Sequence, residues 1–184
     1  MSRPYGAIVL AGGTSRRLGG IDKTALIVRD RPVLDYVLDA VAPAGTVVVV
    51  GSARPTSRPV VWCREDPPGG GPAAAIAAAL PYVTTQDVVV VAGDQPLLTT
   101  DVVDLLVTSL AADGAIGVDA DGRPQWLLGA WRTSALARCG LTAGASLRDT
   151  LGGLKWIGVP LPAGAAIDCD TPDDVRRIEG SLRS

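Results

Sequence analysis

Histidine and asparagine are both absent from this chain of 184 residues, and only two lysines, Lys23 and Lys155, occur among its 17 cationic side chains. Without histidine there is no Ser-His-Asp hydrolysis, no imidazole acid–base catalysis and no His-ligated metal. Cysteine is scarce as well. Cys63, Cys139 and Cys169 are odd in number, widely spaced and free of any CxxC pair, which excludes a disulfide framework or a cysteine zinc site. They read as small apolar residues in a reducing compartment. No stretch approaches the ~20 apolar residues of a membrane span. The opening MSRPYGAIVLAGG meets a glycine pair too early for a secretory leader, so a cytoplasmic location is expected. A net charge of −2 gives no general attraction to nucleic acid or anionic membrane. Neither is expected as a partner, and any anion site must be local.

The remaining composition, 47% hydrophobic and 20% charged, is that of a globular domain of ordinary size. Gly6–Ala11, Thr46–Gly51, Pro59–Cys63 and Asp87–Asp94 are short β-branched runs that read as buried strands. Between them, Val33, Leu34, Val37, Leu38 and Val41 recur at helical spacing, and PAAAIAAALPYV reads as a closely packed helix. TTDVVDLLVTSLAADG predicts another helix, capped by Thr99 or Thr100 and ended by Gly114. Next come two strands around an Asp121-Gly122 turn, short helices near Thr133–Cys139 and Ser146–Leu151, and a strand at KWIGVP. A last helix has Thr171 as cap, Pro172 first inside and Asp173 and Asp174 at its positive end. The order predicts one α/β domain over residues 1–184, a Rossmann-like three-layer αβα sandwich around a mostly parallel sheet. Ligands in such sheets sit beyond the carboxyl ends of the strands. The opening loop, REDPPGGGP and GDQP are therefore expected along one edge.

Val9–Lys23, VLAGGTSRRLGGIDK, is the stretch that carries chemistry. It is not a P-loop, because Lys23 does not directly follow a glycine, and it lacks the G-x-G-x-x-G spacing of a dinucleotide fingerprint. A strand ending in adjacent glycines leaves backbone amides free to point together at an anion. Arg17 and Lys23 add the charge that a triphosphate would require beyond those amides. The same stretch resembles the signature loop of the nucleotidyltransferases that join an NTP to a phosphorylated acceptor. It is most similar to the molybdenum cofactor guanylyltransferases, whose loop reads LAGG-x-x-x-R-M-G-G-x-D-K. EDPPGGGPAAAI, VVVVAGDQPLL and DCDTPDDV resemble later motifs of that family in the same order.

The resemblance implies a nucleotidyltransferase of the nucleotide-diphospho-sugar transferase fold. It would move GMP from GTP to the molybdopterin cofactor and release pyrophosphate. Leu10, Ala11, Gly12 and Gly13 would surround the nucleotide, Lys23 and Arg17 would hold phosphates, and Asp66 would contact the nucleoside. Asp94 would hold Mg²⁺, with Asp170 or Asp168 as a second contact. Molybdoenzymes or cofactor-delivery proteins would be partners. Asp94 also has support of its own. An Asp before Gln-Pro can merely form a turn, but beside the glycine loop, at a strand's carboxyl end, it is a suitable hard ligand. Gly69-Gly70-Gly71-Pro72 can be a helix start or a site where backbone approaches base or ribose. Trp126 and Trp131 can face a flat pterin, although core packing is the simpler expectation. The ending departs from the guanylyltransferase pattern: it carries Asp168 and Asp170 where that branch has asparagines. An asparagine that contacts the base is also missing around Val50–Ser52. D-x-D-T-P is closer to the related cytidylyltransferases, which open with LAAG, so a CTP-using cofactor enzyme, or an NTP transferase acting on a sugar phosphate or other small phosphate, is the alternative. The alternative of another class is a non-catalytic nucleotide-binding module.

Overall fold

The computed structural model describes residues 3–12, 14–15, 21–169 and 172–181. In chain order its elements begin with β1 (Tyr5–Leu10), β2 (Thr14–Ser15), β3 (Ile21–Asp22), β4 (Ile27–Val28), β5 (Arg31–Pro32) and α1 (Val33–Ala40). They continue with β6 (Val47–Val50), β7 (Val61–Cys63), α2 (Gly71–Ala79), β8 (Asp87–Ala92) and α3 (Thr100–Ser109). The second half holds β9 (Gly114–Val118), β10 (Pro124–Arg132), α4 (Thr133–Arg138), α5 (Leu147–Gly152), β11 (Trp156–Pro160) and α6 (Pro172–Ser181). Seven strands form one sheet in the order β11-β9-β10-β8-β1-β6-β7. Within it β10 alone runs antiparallel to its neighbours; the other pairings are parallel. The expected mostly parallel α/β sandwich is the fold observed.

Alternation along the strands builds the layers. Ala7, Val9, Val47, Val49, Val89 and Val91 pack with Leu34, Val37 and Leu38 of α1 and Val102, Val103 and Leu106 of α3. Ile8, Val48, Val50, Val88 and Val90 point the other way, onto Ala73, Ile76 and Ala79 of α2 and Leu147 and Leu151 of α5. Because both faces are covered, these strands read as unbroken valine runs rather than as polar–apolar alternation. A smaller cluster of Val28, Val33, Cys169 and Ile178 seats α6 against β4. Cys169 is fully buried, as expected of an apolar filler, whereas Cys63 and Cys139 are half-buried.

The short helices and strands of the second half also fall where expected, and Thr99 caps α3 by accepting from the Val102 amide. Thr171 lies outside the described residues. One expectation fails. Gly114 does not end α3; the helix stops at Ser109 and Gly114 opens β9. Ala112, with φ +47°, supplies the left-handed turn residue. Gly114 instead lies under the Trp131 ring, where an added Cβ would sit 2.6 Å from Trp131 Cζ3 and closer still to Cε3. Trp131 is fully buried, and Trp126 packs edge-on against Trp156 with centroids 5.6 Å apart. Both tryptophans serve the core.

Asp113 ties edge strand β11 to this half of the sheet. Its carboxylate accepts from the Lys155 amide at 3.0 Å and pairs with Arg138. The Lys155 N–H, and then Arg138, hold the Asp113 carboxyl below the usual carboxylate value. A folded-state pKa below the unfolded one stabilises above the unfolded value, and that contribution is lost as pH falls through the folded value. Asp113→Asn is therefore expected to lower the thermal midpoint at neutral pH. The difference from wild type should close as pH drops below about 4, the unfolded carboxyl value. A difference that stays constant from neutral to acid pH would mean that the charge of Asp113 contributes nothing.

Candidate active site

The chain leaves β1 at Leu10, and the neighbouring strands β6 and β8 end level with it, since Leu10 pairs with Val50 on one side and Ala92 on the other. Strand connections run outward from β1 in opposite directions, which opens a crevice at the carboxyl edge. A cavity of about 750 Å³ occupies it, a size usual for small-molecule sites. Leu10, Ala11 and Gly12 line it beside Gly51, Arg64, Glu65, Gly69 and Asp94. The opening loop, the REDPPGGGP segment and GDQP thus meet at one edge.

The floor is backbone. Ala11 N–H donates to the Val50 carbonyl at 2.9 Å, and Gly93 N–H to the Leu10 carbonyl at 2.9 Å. The ladder therefore continues past the last strand residues and fixes where the glycine loop begins. Two glycines permit this approach. A Cβ on Gly51 would lie 2.8 Å from the Ala11 carbonyl oxygen, and one on Gly93 would lie 3.0 Å from that of Leu10. Neither glycine was singled out from sequence. The signal was available, because each directly follows a buried strand or its last alanine. Gly51→Ala is expected to push Ala11 and Gly12 out of register, since backbone cannot rotate away as a side chain can. Hydrogen exchange at the Ala11 amide should accelerate about tenfold, a local opening easier by about 1.4 kcal/mol. Unchanged protection there would show that the contact is not tight.

Lys23 opens a 3-10 turn, Lys23–Ala25, whose cap Asp22 accepts from the Thr24 amide. Asp22 lines the cavity; Lys23, the next residue in the chain, is half-buried and is not part of that lining. Asp94 sits two residues past β8, and its backbone carbonyl accepts from the Cys169 amide at 2.8 Å. That bond brings Asp168 alongside. Gln95, almost fully buried, donates from Nε2 to Asp168 Oδ1 at 3.1 Å, while its own Oε1 is buried without a hydrogen-bond partner. This end of β8 thus brings together two carboxylate residues, Asp94 and Asp168, and the amide oxygen of Gln95. That donor set fits a hard cation such as Mg²⁺, which keeps several water ligands and takes few from protein. No group of three or more His, Cys, Asp or Glu placed to hold a metal occurs among the described residues.

Of the two adjacent acids after β7, Glu65 lines the cavity, whereas Asp66 is exposed one residue farther along. Glu65 Oε1 accepts from the Gly69 amide at 3.1 Å and so holds the PPGGG turn; the sequence reading passed over it. Gly69, Gly71 and Pro72 line the cavity while α2 begins at Gly71, so this segment is the helix start and part of the cavity wall. Gly13, Arg17 and Asp170 lie outside the described residues. No helix among the described residues is long and apolar enough to cross a membrane.

Comparison with known proteins agrees with this geometry. Residues 7–155 match the model of the MobA-like NTP transferase domain. The molybdenum cofactor guanylyltransferase of Shewanella woodyi is 32% identical over 131 residues, 68% of this chain and 67% of that protein. That of Shewanella loihica is 32% identical over 132 residues, with the same coverage. Among solved structures, molybdopterin-guanine dinucleotide biosynthesis protein A from Archaeoglobus fulgidus superposes with a TM-score of 0.77 at 24% identity, covering 97% of this chain and 98% of that one. The 2-C-methyl-D-erythritol 4-phosphate cytidylyltransferase of Thermus thermophilus does so with a TM-score of 0.74 at 20% identity, covering 100% of each chain. With the family matched over most of its length and a nucleotide-sized cavity at the edge that its glycine loop shapes, the chain belongs to the MobA-like NTP transferases and is a nucleotidyltransferase.

Proposed function

We propose that this protein transfers GMP from GTP to the terminal phosphate of the molybdopterin cofactor, with release of pyrophosphate, in molybdenum cofactor biosynthesis. One observation carries the reading: Leu10, Ala11, Gly12 and Asp94 line the same cavity. The names of the Shewanella relatives supply the substrate pair. The missing histidine fits this chemistry. A phosphate monoester is ionised at neutral pH and needs no general base. An acceptor oxygen forms a bond to the α-phosphorus of GTP, the bond to the β-bridging oxygen breaks, and its electron pair leaves with pyrophosphate.

The protein's task is to align two polyanions and offset their charge. The loop amides that follow Ala11, with Lys23 and Arg17, hold the β- and γ-phosphates as the leaving group. Asp66, exposed next to Glu65, serves the nucleoside. Asp94, with Asp168 or Asp170 as the second contact, would hold Mg²⁺, which would supply positive charge to offset that of the phosphates. The Asp168–Asp170 ending and the absence of asparagine favour CTP as the second donor to be tested.

Pyrophosphate release, measured separately with GTP and CTP in the presence of Mg²⁺ and molybdopterin cofactor, tests the reading. Turnover with GTP alone is the expected result. Preference for CTP would assign a cytidylyltransferase. Binding of either nucleotide without turnover, across a panel of small phosphate acceptors, would leave a nucleotide-binding module.

A further inference from the structure

Arg54 belongs to none of the motifs above, yet its side chain is heavily engaged beside the cavity. It stands in the loop after β6 with its side chain 21% exposed. Its Nη1 donates to Asp22 Oδ2 and its Nη2 to Thr24 Oγ1. The guanidinium carbon lies 5.9 Å from the centroid of the Trp62 ring, on β7. The other Asp22 oxygen, Oδ1, accepts from Thr24 N at 3.0 Å and Thr24 Oγ1 at 2.6 Å. Thr24 is buried, and its Cγ2 lies 3.2 Å from where a Cβ on Gly93 would be. A continuous chain of contacts thus runs from Trp62 through Arg54 to the Asp22–Thr24 turn, and from there to the end of β8 next to Asp94. Lys23 is the residue between the two that Arg54 grips.

The charge arrangement asks for such a residue. Asp22 lines the cavity, and an uncompensated carboxylate there would repel a polyphosphate. A fork-shaped guanidinium can meet both the carboxylate and the threonine hydroxyl at fixed geometry, which an ammonium cannot do. We propose that Arg54 is a positioning residue for nucleotide polyphosphate binding, cancelling the charge of Asp22 at the cavity and fixing the Asp22–Thr24 turn. The proposal rests on the reading of this cavity as an NTP site.

The consequence is selective for phosphates beyond the first. Arg54 is assigned no contact with base or ribose, so its loss should weaken GTP binding and leave GMP binding almost untouched. Calorimetric titration of the full chain with GTP and with GMP, each with Mg²⁺, tests this. Arg54→Ala is expected to raise Kd for GTP about tenfold and Kd for GMP less than twofold. Arg54→Lys should fall between wild type and Arg54→Ala. Asp22→Asn combined with Arg54→Ala should recover much of the GTP affinity, because the repelling charge has gone with its partner.

Equal losses for GTP and GMP would make Arg54 a merely structural residue and overturn the proposal, as would unchanged GTP affinity. A double variant no better than Arg54→Ala would remove the charge-cancelling role. If the unaltered protein binds neither nucleotide, the NTP-site reading fails and the proposal falls with it. If it binds GTP and only the variants behave otherwise than stated, the proposal fails alone.

Discussion

Asp94→Ala is expected to lower pyrophosphate release from GTP by about 10²–10³-fold, the usual cost of removing one group that offsets charge developing in a transition state. The fold should survive. The backbone carbonyl of Asp94, which accepts from Cys169 N–H, is kept by alanine. Thermal melting of the variant close to that of wild type, together with lost turnover, separates a role in chemistry from one in structure. Excess Mg²⁺ should restore little of the rate, because one of the few carboxylates available to the ion is gone. Asp168→Ala in the same assay places the second contact. A loss within tenfold of the Asp94 effect assigns it there, and a negligible loss shifts the assignment to Asp170. Turnover by Asp94→Ala within threefold of wild type would remove the residue from the site.

Gly114→Ala is expected to be the most destabilising single methyl in the sheet. The new carbon would meet Trp131 Cζ3 at 2.6 Å and press still closer on Cε3. The ring has no open direction, being fully buried among the residues that α4 and α5 cover. Overpacking of this kind costs about 1–3 kcal/mol, or roughly 2–12 °C of thermal midpoint for a chain of this size. Trp131→Phe tests the cause. Trp131 Nε1 is buried with no hydrogen-bond partner, so the smaller ring gives up no bond and makes room. The double variant should therefore be more stable than the sum of the single effects. Strict additivity would show that the methyl acts elsewhere.

These glycines mark how far the sequence could be read. The strands were plain because burial on both faces gives runs such as VVVVG and DVVVVAG, with no polar interruption. The helices were plain from spacing and caps. Gly114 was misread because AADG has the form of a helix C-terminus, and the ring that demands a missing Cβ lies in β10, joined to Gly114 only by strand pairing. The site divides in the same way. Leu10–Gly12 and Asp94 were legible because they are contiguous with strands and carry motif spacing. Glu65, Gly51 and Arg54 were not, since each acts on a segment distant in sequence or across a turn: the PPGGG turn, the Ala11 carbonyl and the Asp22–Thr24 turn. A local pattern shows which residues could hold a ligand. Only the folded chain shows which ones hold those residues.

The cavity floor, peptide backbone drawn tight between Gly51 and Gly93, has a consequence for descent. A floor made of backbone is encoded by the absence of side chains, so most substitutions around the rim leave it standing. Rim positions such as Ser52 and Arg64 can therefore change, and alter which base or acceptor is admitted, without disturbing the floor beneath them. One fold can in this way serve different donors and acceptors among proteins that share few of their residues.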